Sequence, residues 1–326
     1  MSKLTLEAIE FIANWHDSSS EVACFTSGST GRPSRILLPK EEMKKSARRT
    51  IDYFGLNRES NIHSAISLST IGGRMAWLRA EISGGSFSCE IPSNRPLTDP
   101  ETTPSHITLL SVVPSQMISI LDRLYTDRKS LPKIEAILIG GSPIPIGLEE
   151  RIAASGLNAY ETYGMTETAS HIAIRKIGSQ GTDKKGAFIP LEDIRVFEKD
   201  ECLGIEIPGW KQIITTDEAR VFPDGSFSIL GRRDNVIITG GKKVHPEEVE
   251  KKLAARIDRE VMVKGIPDPK WGSCVKLIIS EEGAEERPSL EEAEQICREL
   301  LEDYQVPKCI EFGKLPKTTS GKLKRN

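Results

Sequence analysis

The stretch 25–33 combines residue types that can hold an anion. Its two glycines, Gly28 and Gly31, allow backbone angles that a Cβ would forbid. The hydroxyl-bearing residues before and between them are Thr26, Ser27, Ser29 and Thr30. Hydroxyls and free backbone N–H groups can together surround phosphate oxygens. No Gly-Lys-Ser/Thr follows, which excludes a Walker A loop, and the alternative for the stretch by itself is a Ser/Gly surface turn.

Four further polar segments follow and carry groups suited to nucleotide chemistry. They are Tyr163-Gly164-Met165-Thr166-Glu167, Thr215-Thr216-Asp217, Gly231-Arg232-Arg233-Asp234 and Ser320-Gly321-Lys322. A carboxylate such as Glu167 offers the hard oxygen that Mg²⁺ prefers, and one such as Asp217 can accept hydrogen bonds from ribose hydroxyls. Taken singly, each residue has an ordinary alternative: Glu167 as a helix cap, Asp217 in a turn and Tyr163 in the core.

Strand-like and helix-like segments alternate between these motifs, which predicts an α/β layered domain with a largely parallel sheet. The strand-like segments are 62–68, 107–113, 134–139 and 158–162, and helical spacing marks 116–125 and 148–154. Ligands of such sheets bind at the carboxyl ends of the strands. Gly140-Gly141-Ser142 and Tyr163-Gly164 lie at those ends.

The pattern changes to β-rich after residue 178, and a hairpin is predicted around Pro223-Asp224-Gly225. The polar run that begins at Gly231 predicts a domain boundary. Beyond it, Pro246 begins one predicted helix, and Ser289 with Glu292 forms the capping box of another. We therefore predict two domains, 1–231 and 232–326, the second a small α+β domain.

Composition sets further bounds. A length of 326 residues suggests two domains, and a net charge of −3 gives no reason to expect nucleic acid as a partner. The six cysteines are scattered without a C-x-x-C pair, which predicts free thiols in a reducing compartment. No signal peptide or membrane span is predicted, and the default location is the cytoplasm. The sequence does not define the oligomeric state and allows a homo-oligomer.

Together and in this order, the five motifs resemble those of the acyl-adenylate-forming superfamily of acyl-CoA ligases, adenylation domains and luciferases. The resemblance extends from Cys24 to Arg325. It implies a large layered α/β N-terminal domain and a small mobile α+β C-terminal domain, with a hinge near Asp234. Relatives usually carry a long portion before the phosphate loop, so the large domain is expected to be N-terminally shortened.

The resemblance also implies the substrates, which are a carboxylic acid, ATP with Mg²⁺, and CoA. The residues that it assigns to ATP are Thr26, Ser27, Gly28, Ser29, Thr30, Gly31, Gly141, Ser142, Tyr163, Gly164, Asp217 and Arg232. Thr166 would touch the α-phosphate and Glu167 would bind the metal. Lys322 would supply a cation where the acid approaches the α-phosphate, completing a catalytic set with Thr166 and Glu167. The Gly240-Gly241 pair would serve the CoA step.

Two positions depart from the family pattern. Relatives usually have Lys-Gly after the loop proline, where this chain has Ser34-Arg35, and Arg35 is a candidate for the missing cation. Relatives also often place histidine or an aromatic residue where Thr70 falls. This departure leaves open whether a ring gates the acyl pocket.

The stretch 106–116, with Gly72-Gly73 and Trp77-Leu78-Arg79, resembles the o-succinylbenzoate–CoA ligases of menaquinone synthesis. That acid has two carboxylates: the succinyl one is activated, and the aryl one stays ionised and needs a partner when buried. Arg79 is the predicted partner because its planar fork matches a carboxylate, and Thr70 and Ser115 are further predicted contacts. The alternative is that Arg79 is a surface arginine on a helix.

Three functions remain open at this point. The first is a CoA ligase, for the acid above or another aryl or acyl substrate. The second is a stand-alone adenylation enzyme that loads a separate carrier protein, since no carrier segment follows Asn326 in this sequence. The third is an inactive nucleotide-binding protein, against which the intact Glu167, Asp217, Arg232 and Lys322 argue.

Overall fold

The structure is a computed structural model, which describes residues 6–26, 34–178, 186–254, 256–257, 259–282, 287–317, 323 and 325. The chain divides into two compact units. The first consists of Met1–Ile144, Glu150–Arg195 and Glu206–Lys211. The second consists of Pro145–Glu149, Val196–Ile205 and Gln212–Asn326.

The first unit begins with a helix, a hairpin and a second helix, followed by alternating strands and helices. Its helices are α1 (Leu6–His16), α2 (Lys40–Phe54), α3 (Ile71–Ser83) and α4 (Pro114–Thr126), and α5 (Ile146–Ser155) ends in it. Its strands are β1 (Glu21–Thr26), β2 (Ser34–Pro39), β3 (Asn61–Ser64), β4 (Ser86–Cys89), β5 (His106–Val112), β6 (Lys133–Ile139), β7 (Ala159–Met165), β8 (Ser170–Lys176) and β9 (Ile189–Pro190).

A seven-stranded sheet with the order β4-β3-β5-β6-β7-β8-β9 forms the centre of this unit. The strands from β4 to β7 are parallel, and β8 and β9 are antiparallel to their neighbours. Parallel neighbours need crossover connections, which α3, α4 and α5 supply. The predicted, largely parallel α/β layer is confirmed, and its topology brings the carboxyl ends of β3, β5, β6 and β7 to one edge.

Helices α1, α2 and α3 pack together with the β1–β2 hairpin around a cluster of aromatic residues. Phe11 and Trp15 lie one helical turn apart on α1 and are both buried. The Trp77 ring contacts both edge-on, with centroid distances of 5.6 Å to Phe11 and 6.4 Å to Trp15. A two-stranded hairpin is marginal in water, so this packing is what stabilises β1 and β2.

In its described residues, the second unit has two sheets and two α-helices. Its strands are β10 (Arg195–Lys199), β11 (Cys202–Glu206), β12 (Ile213–Val221), β13 (Phe227–Arg232), β14 (Ile237–Thr239), β15 (Lys242–Val244), β16 (Val261–Asp268), β17 (Gly272–Ser280) and β18 (Cys309–Gly313), and its helices are α6 (Pro246–Ala254) and α7 (Leu290–Leu300). One sheet has the order β10-β11-β12-β13, and the other has β15-β14-β17-β16 with β18 beside β17. The Ser289 cap of α7 has both hydrogen bonds of the predicted capping box.

The compact units divide the chain differently from the predicted boundary at residues 231 and 232. The hairpin of β12 and β13 groups with the second unit, and α6 packs against β13. A hinge at Asp234 therefore stays a prediction.

The cysteines and the helices bear on the expectations from composition. All six cysteines are free thiols, as predicted, and only Cys309 is partly exposed. None of the described helices is both long enough and apolar enough to span a membrane.

Burial of His63 contributes to the sensitivity of the first unit to acid. His63 on β3 is fully buried, and its Nδ1 lies 2.7 Å from Ser88 Oγ. Its Nε2 has no hydrogen-bond partner among the described residues. Burial lowers the pKa of His63 from 6.5 to about 4, because the charged imidazolium loses its hydration.

We expect the free energy of unfolding to fall as the pH drops from about 6.5 to 4. In this window the unfolded chain binds a proton at His63 that the folded chain does not, and the difference amounts to about 3 kcal/mol. Chemical denaturation at a series of pH values measures it. The His63→Asn variant, which cannot be protonated, should lose much of this slope, whereas the control His106→Asn, at a half-buried histidine beside Glu135, should keep it. Equal slopes in both variants would contradict the assignment.

Candidate active site

The turn after β6 follows the carboxyl end of a central parallel strand. Gly141 adopts a φ of +93°, which favours glycine. A Cβ on Gly140 would lie 2.5 Å from Thr162 Oγ1, so this residue must also be small. The hydroxyl of Thr162 donates a hydrogen bond to Ile139 O at 3.2 Å. The glycines thus let the turn lie directly against β7, with Ser142 half-buried beside it.

The next motif forms the end of β7 and a short 3₁₀ turn, Thr166–Thr168. Glu167 is exposed, and Thr166 and Tyr163 are half-buried. The Tyr163 ring contacts Phe188 at a centroid distance of 5.7 Å. Because β6 and β7 are adjacent, the structure brings this motif and the glycine turn to the same sheet edge, as the sequence predicted.

The chain reverses direction immediately after this turn and returns as β8. Ala169 and Ser170 have φ values of 51° and 103°, which are strained for residues with a Cβ. Thr168 Oγ1 donates to Ser170 O at 2.7 Å, and Ser46 Oγ of α2 donates to Ala169 O at 3.0 Å. These buried hydrogen bonds hold the turn that presents Thr166 and Glu167.

A buried ion pair lies under the two motifs, and sequence analysis missed it. Glu161 accepts a hydrogen bond from Ile144 N at 3.0 Å and pairs with Arg175 Nε, its neighbour across β7 and β8. Both side chains are almost fully buried. The pair links β7 and β8 to the segment that follows the glycine turn. The available signal in the sequence was Glu161, a charged residue two positions before Tyr163 in a predicted strand.

Arg79 is buried on α3 and is not a surface arginine. Its Nη2 donates to Ser170 Oγ at 3.3 Å and to His171 Nδ1 at 3.4 Å, and its Nε has no hydrogen-bond partner among the described residues. No described carboxylate forms an ion pair with it. Burial lowers the pKa of Arg79 from 12.5 to about 9. The guanidinium is therefore still cationic at neutral pH.

The other two predicted acid contacts lie at helix starts near the ends of β3 and β5. The Thr70 hydroxyl caps α3, accepting from Gly73 N at 3.4 Å, and its side chain is exposed. Ser115 is exposed in the first turn of α4. Its neighbour Gln116 donates to Ala65 O at 2.7 Å and accepts from Val113 N at 3.0 Å, which ties the two strand ends together. Contact of Thr70 or Ser115 with an acid stays a prediction.

The phosphate-loop motif begins where β1 ends. Thr26 is the last residue of β1, and Ser27, Gly28, Ser29, Thr30 and Gly31 lie outside the described residues. Arg74 of α3 supports β1: its Nη1 donates to Ala23 O at 2.7 Å, and its Nε donates to Leu68 O at 3.0 Å. This buried support was not foreseen, because the contact joins segments about 50 residues apart.

Within the second unit, the two predicted ribose contacts face each other across the β12–β13 hairpin. Asp217 and Arg232 are paired in register, and Asp217 Oδ1 lies 3.7 Å from Arg232 Nε. Arg232 Nη2 also lies 3.6 Å from Asp234 Oδ2 and donates to Thr216 Oγ1. The side chains of Asp217 and Arg232 are 21% and 45% exposed, which leaves both reachable by a ligand.

The pair Gly240-Gly241 forms the turn between β14 and β15. Their φ values are +55° and +79°, so both positions favour glycine. A Cβ on Gly240 would lie 2.7 Å from the ring of Trp271, and Gly240 N donates to Trp271 O. A participation of this turn in the CoA step stays a prediction.

Lys322 lies outside the described residues, but both flanks of its segment are described. Lys317 pairs with Leu323 in a β-bridge. The guanidinium of Arg325 forms two hydrogen bonds to the carboxylate of Glu250 and a third to Val263 O. These contacts anchor the residues on either side of the predicted catalytic lysine.

The exposed carboxylate of Glu167 fits a magnesium ion bound together with a substrate. Mg²⁺ usually takes one or two carboxylates, keeps several waters and completes its shell with phosphate oxygens. The described residues contain no group of three or more His, Cys, Asp or Glu that could hold a metal by themselves. Among the described residues, Glu167 can therefore contribute one carboxylate to a site that substrate phosphates complete.

Comparison with known proteins assigns the family. The family model described as "AMP-binding enzyme" matches residues 13–209, and that of its C-terminal domain matches 248–322. A 2-succinylbenzoate–CoA ligase of Listeria monocytogenes is 31% identical over 97% of this chain and 71% of its own length. The chain belongs to the AMP-binding enzyme family. The resemblance inferred from the five motifs is therefore confirmed.

Further AMP-binding enzymes agree in both sequence and fold. A 2-succinylbenzoate–CoA ligase of a Geobacillus species is 29% identical over 100% of this chain and 72% of its own length. The o-succinylbenzoate CoA synthetase of Bacillus subtilis, solved with the acyl-adenylate intermediate OSB-AMP, is 25% identical. The structural match includes 93% of this chain and 68% of the Bacillus subtilis chain, and its TM-score is 0.79. The predicted resemblance to the o-succinylbenzoate–CoA ligases is therefore confirmed.

Gly164 provides a test of the close pairing that positions the Tyr163 motif. A Cβ there would lie 2.2 Å from Ser170 O and 2.4 Å from His171 Cα, both backbone atoms that cannot move alone. We expect Gly164→Ala to destabilise the protein by ~1–3 kcal/mol, measured by thermal unfolding. The control Gly147→Ala on α5, where nothing lies within 4 Å of the new Cβ, should be neutral or stabilising. If Gly164→Ala were as stable as the wild type, the register that pairs Gly164 of β7 with His171 of β8 would be ruled out.

Proposed function

We propose that the protein is an ATP-dependent acid–thiol ligase that converts 2-succinylbenzoate into its CoA thioester, a step of menaquinone biosynthesis. It first forms the acyl-adenylate with release of pyrophosphate and then transfers the acyl group to CoA. The activity named for its curated relatives supports the proposal. We place the reaction in the cytoplasm, where ATP and CoA are available.

The buried cation of Arg79 is the structural observation that carries the choice of acid. An ionised guanidinium is costly to bury without a counter-charge, and no described carboxylate pairs with it. The acid proposed here has a second carboxylate that takes no part in the reaction. Pairing that carboxylate with Arg79 satisfies both charges and selects this acid over those with a single carboxylate.

In the first half-reaction, an oxygen of the ionised succinyl carboxylate attacks the α-phosphorus of ATP. The bond from that phosphorus to the bridging oxygen breaks, and pyrophosphate leaves. Thr166 contacts the α-phosphate, the motif from Thr26 to Gly31 contacts the β- and γ-phosphates, and Lys322 offsets the charge as two anions approach. Glu167 would hold Mg²⁺, which would neutralise part of the charge on the phosphate oxygens.

Two sets of residues have roles toward the nucleoside in this proposal. Gly141, Ser142, Tyr163 and Gly164 line the adenine position, where the tyrosine ring offers a flat apolar surface. Asp217 accepts hydrogen bonds from the ribose hydroxyls, and Arg232 adds a cationic contact.

In the second half-reaction, the thiol of CoA gives its proton to solvent water and its sulfur attacks the acyl carbon. The bond from that carbon to the AMP oxygen breaks, and AMP leaves. The Gly240-Gly241 turn serves this step, and residues beyond Asp234 reorient between the two half-reactions.

A pyrophosphate-release assay with a panel of carboxylic acids, with and without CoA, tests the function. We expect turnover with 2-succinylbenzoate, ATP, Mg²⁺ and CoA, with AMP and pyrophosphate formed in equal amounts. Formation of ADP, or no stimulation by any acid of the panel, would refute a ligase of this type. Thioester formation on an added carrier protein but not on CoA would show a carrier-loading enzyme.

Glu167 tests the metal assignment. We expect Glu167→Gln to slow pyrophosphate release by about tenfold or more, because the amide binds Mg²⁺ more weakly than the carboxylate does. Raising the Mg²⁺ concentration should restore part of the rate. The control Glu59→Gln, on an exposed turn, should behave as the wild type does. A slow Glu167→Gln enzyme that magnesium does not rescue would indicate a different role for this carboxylate.

A further inference from the structure

A chain of buried polar side chains runs from α2 through β8 to α3. Thr50 Oγ1 lies 3.0 Å from His171 Nε2, and His171 Nδ1 lies 3.4 Å from Arg79 Nη2. Thr50, His171 and Arg79 are 0%, 8% and 2% exposed. None of the sequence motifs includes Thr50 or His171, and the mechanism given above does not use them.

The chemistry of these groups fixes the direction of both hydrogen bonds. A guanidinium has donors only, so His171 Nδ1 must accept from Arg79. The ring proton then sits on Nε2, which donates to the Thr50 hydroxyl. Burial lowers the pKa of His171 well below 6.5, and the charge of Arg79 lowers it further. A neutral ring is therefore present at neutral pH, and it does not repel the cation that it orients.

We propose that His171, held by Thr50, is the positioning residue of Arg79 and thereby sets the preference for an acid with a second carboxylate. The inference rests on the proposed function. His171 and Ser170 occupy Nη2 of the guanidinium, whereas Nε has no partner among the described residues. Because the guanidinium is planar and rigid, two partners on Nη2 restrict the direction of its remaining N–H groups, which is what recognition of a carboxylate requires.

The position of His171 in β8 connects this recognition to the reaction. In the antiparallel register, Ser170 is opposite Met165 and His171 is opposite Gly164, so both neighbours of Arg79 lie beside the Tyr163 motif. Ser46 lies on the same face of α2, one helical turn before Thr50. The Ser46 hydroxyl donates a hydrogen bond to Ala169 O and not to His171. The helix thus offers two hydroxyls of similar environment, of which only one reaches the His171 ring.

The experiment compares two acids in each variant. 2-Succinylbenzoate has the aryl carboxylate, and 3-benzoylpropionate is the same keto acid without it. We expect Thr50→Val and His171→Leu to lower kcat/KM for 2-succinylbenzoate, the second by at least about tenfold, with little change for 3-benzoylpropionate or in the KM for ATP. The matched control Ser46→Ala should change kcat/KM by the same factor for both acids. The double variant His171→Leu/Arg79→Ala should match Arg79→Ala within about twofold, because both substitutions act through one contact.

Each result decides a separate question. A wild-type enzyme without activity toward 2-succinylbenzoate would refute the proposed function. If the wild type prefers this acid but Thr50→Val and His171→Leu affect both acids alike, or add to Arg79→Ala, the positioning role is refuted while the function stands. Should His171→Leu fail to fold, Thr50→Val decides the question, since it removes one hydroxyl and keeps the shape of the side chain.

Discussion

The reversal of the chain between β7 and β8 is the constraint on which the first unit depends. A parallel strand must turn within a few residues into an antiparallel one, and it does so through positive φ values at Ala169 and Ser170. Strain of this kind costs ~1–3 kcal/mol per residue and persists only where the surroundings enforce it. Here the enforcing groups are the hydroxyls of Ser46 and Thr168, together with Gly164, whose missing Cβ admits the backbone of the next strand. The turn so fixed presents Thr166 and Glu167 at the sheet edge.

Buried charge is used in two different ways around this turn. Glu161 and Arg175 neutralise each other and bind the segment after β6 to the strands beside it. Arg79, equally buried, has neutral neighbours and no described carboxylate. The first arrangement is complete within the protein and explains a fixed geometry. The second has no counter-charge among the described residues, and the second carboxylate of the proposed substrate would supply one.

The second unit carries charged groups on a β-hairpin. The register of β12 and β13 places Asp217 opposite Arg232, which keeps a carboxylate and a cation close together in a partly exposed position. Farther along the chain, Gly240 and Gly241 form a tight turn, and Lys317, Leu323 and Arg325 each have a described contact.

The amino-acid sequence determined the family, the layered fold and the segments that carry chemistry, because glycine-rich turns and strand–helix alternation are local patterns. It also indicated Arg79, although the pattern allowed a surface position for that residue. Only the tertiary structure decided that Arg79 is buried beside Ser170 and His171, that Glu161 pairs with Arg175, and that Arg74 supports β1. These contacts join side chains from distant segments. Which charges meet, and which of them lacks a partner, depends on strand order and helix packing, and no local spacing encodes either.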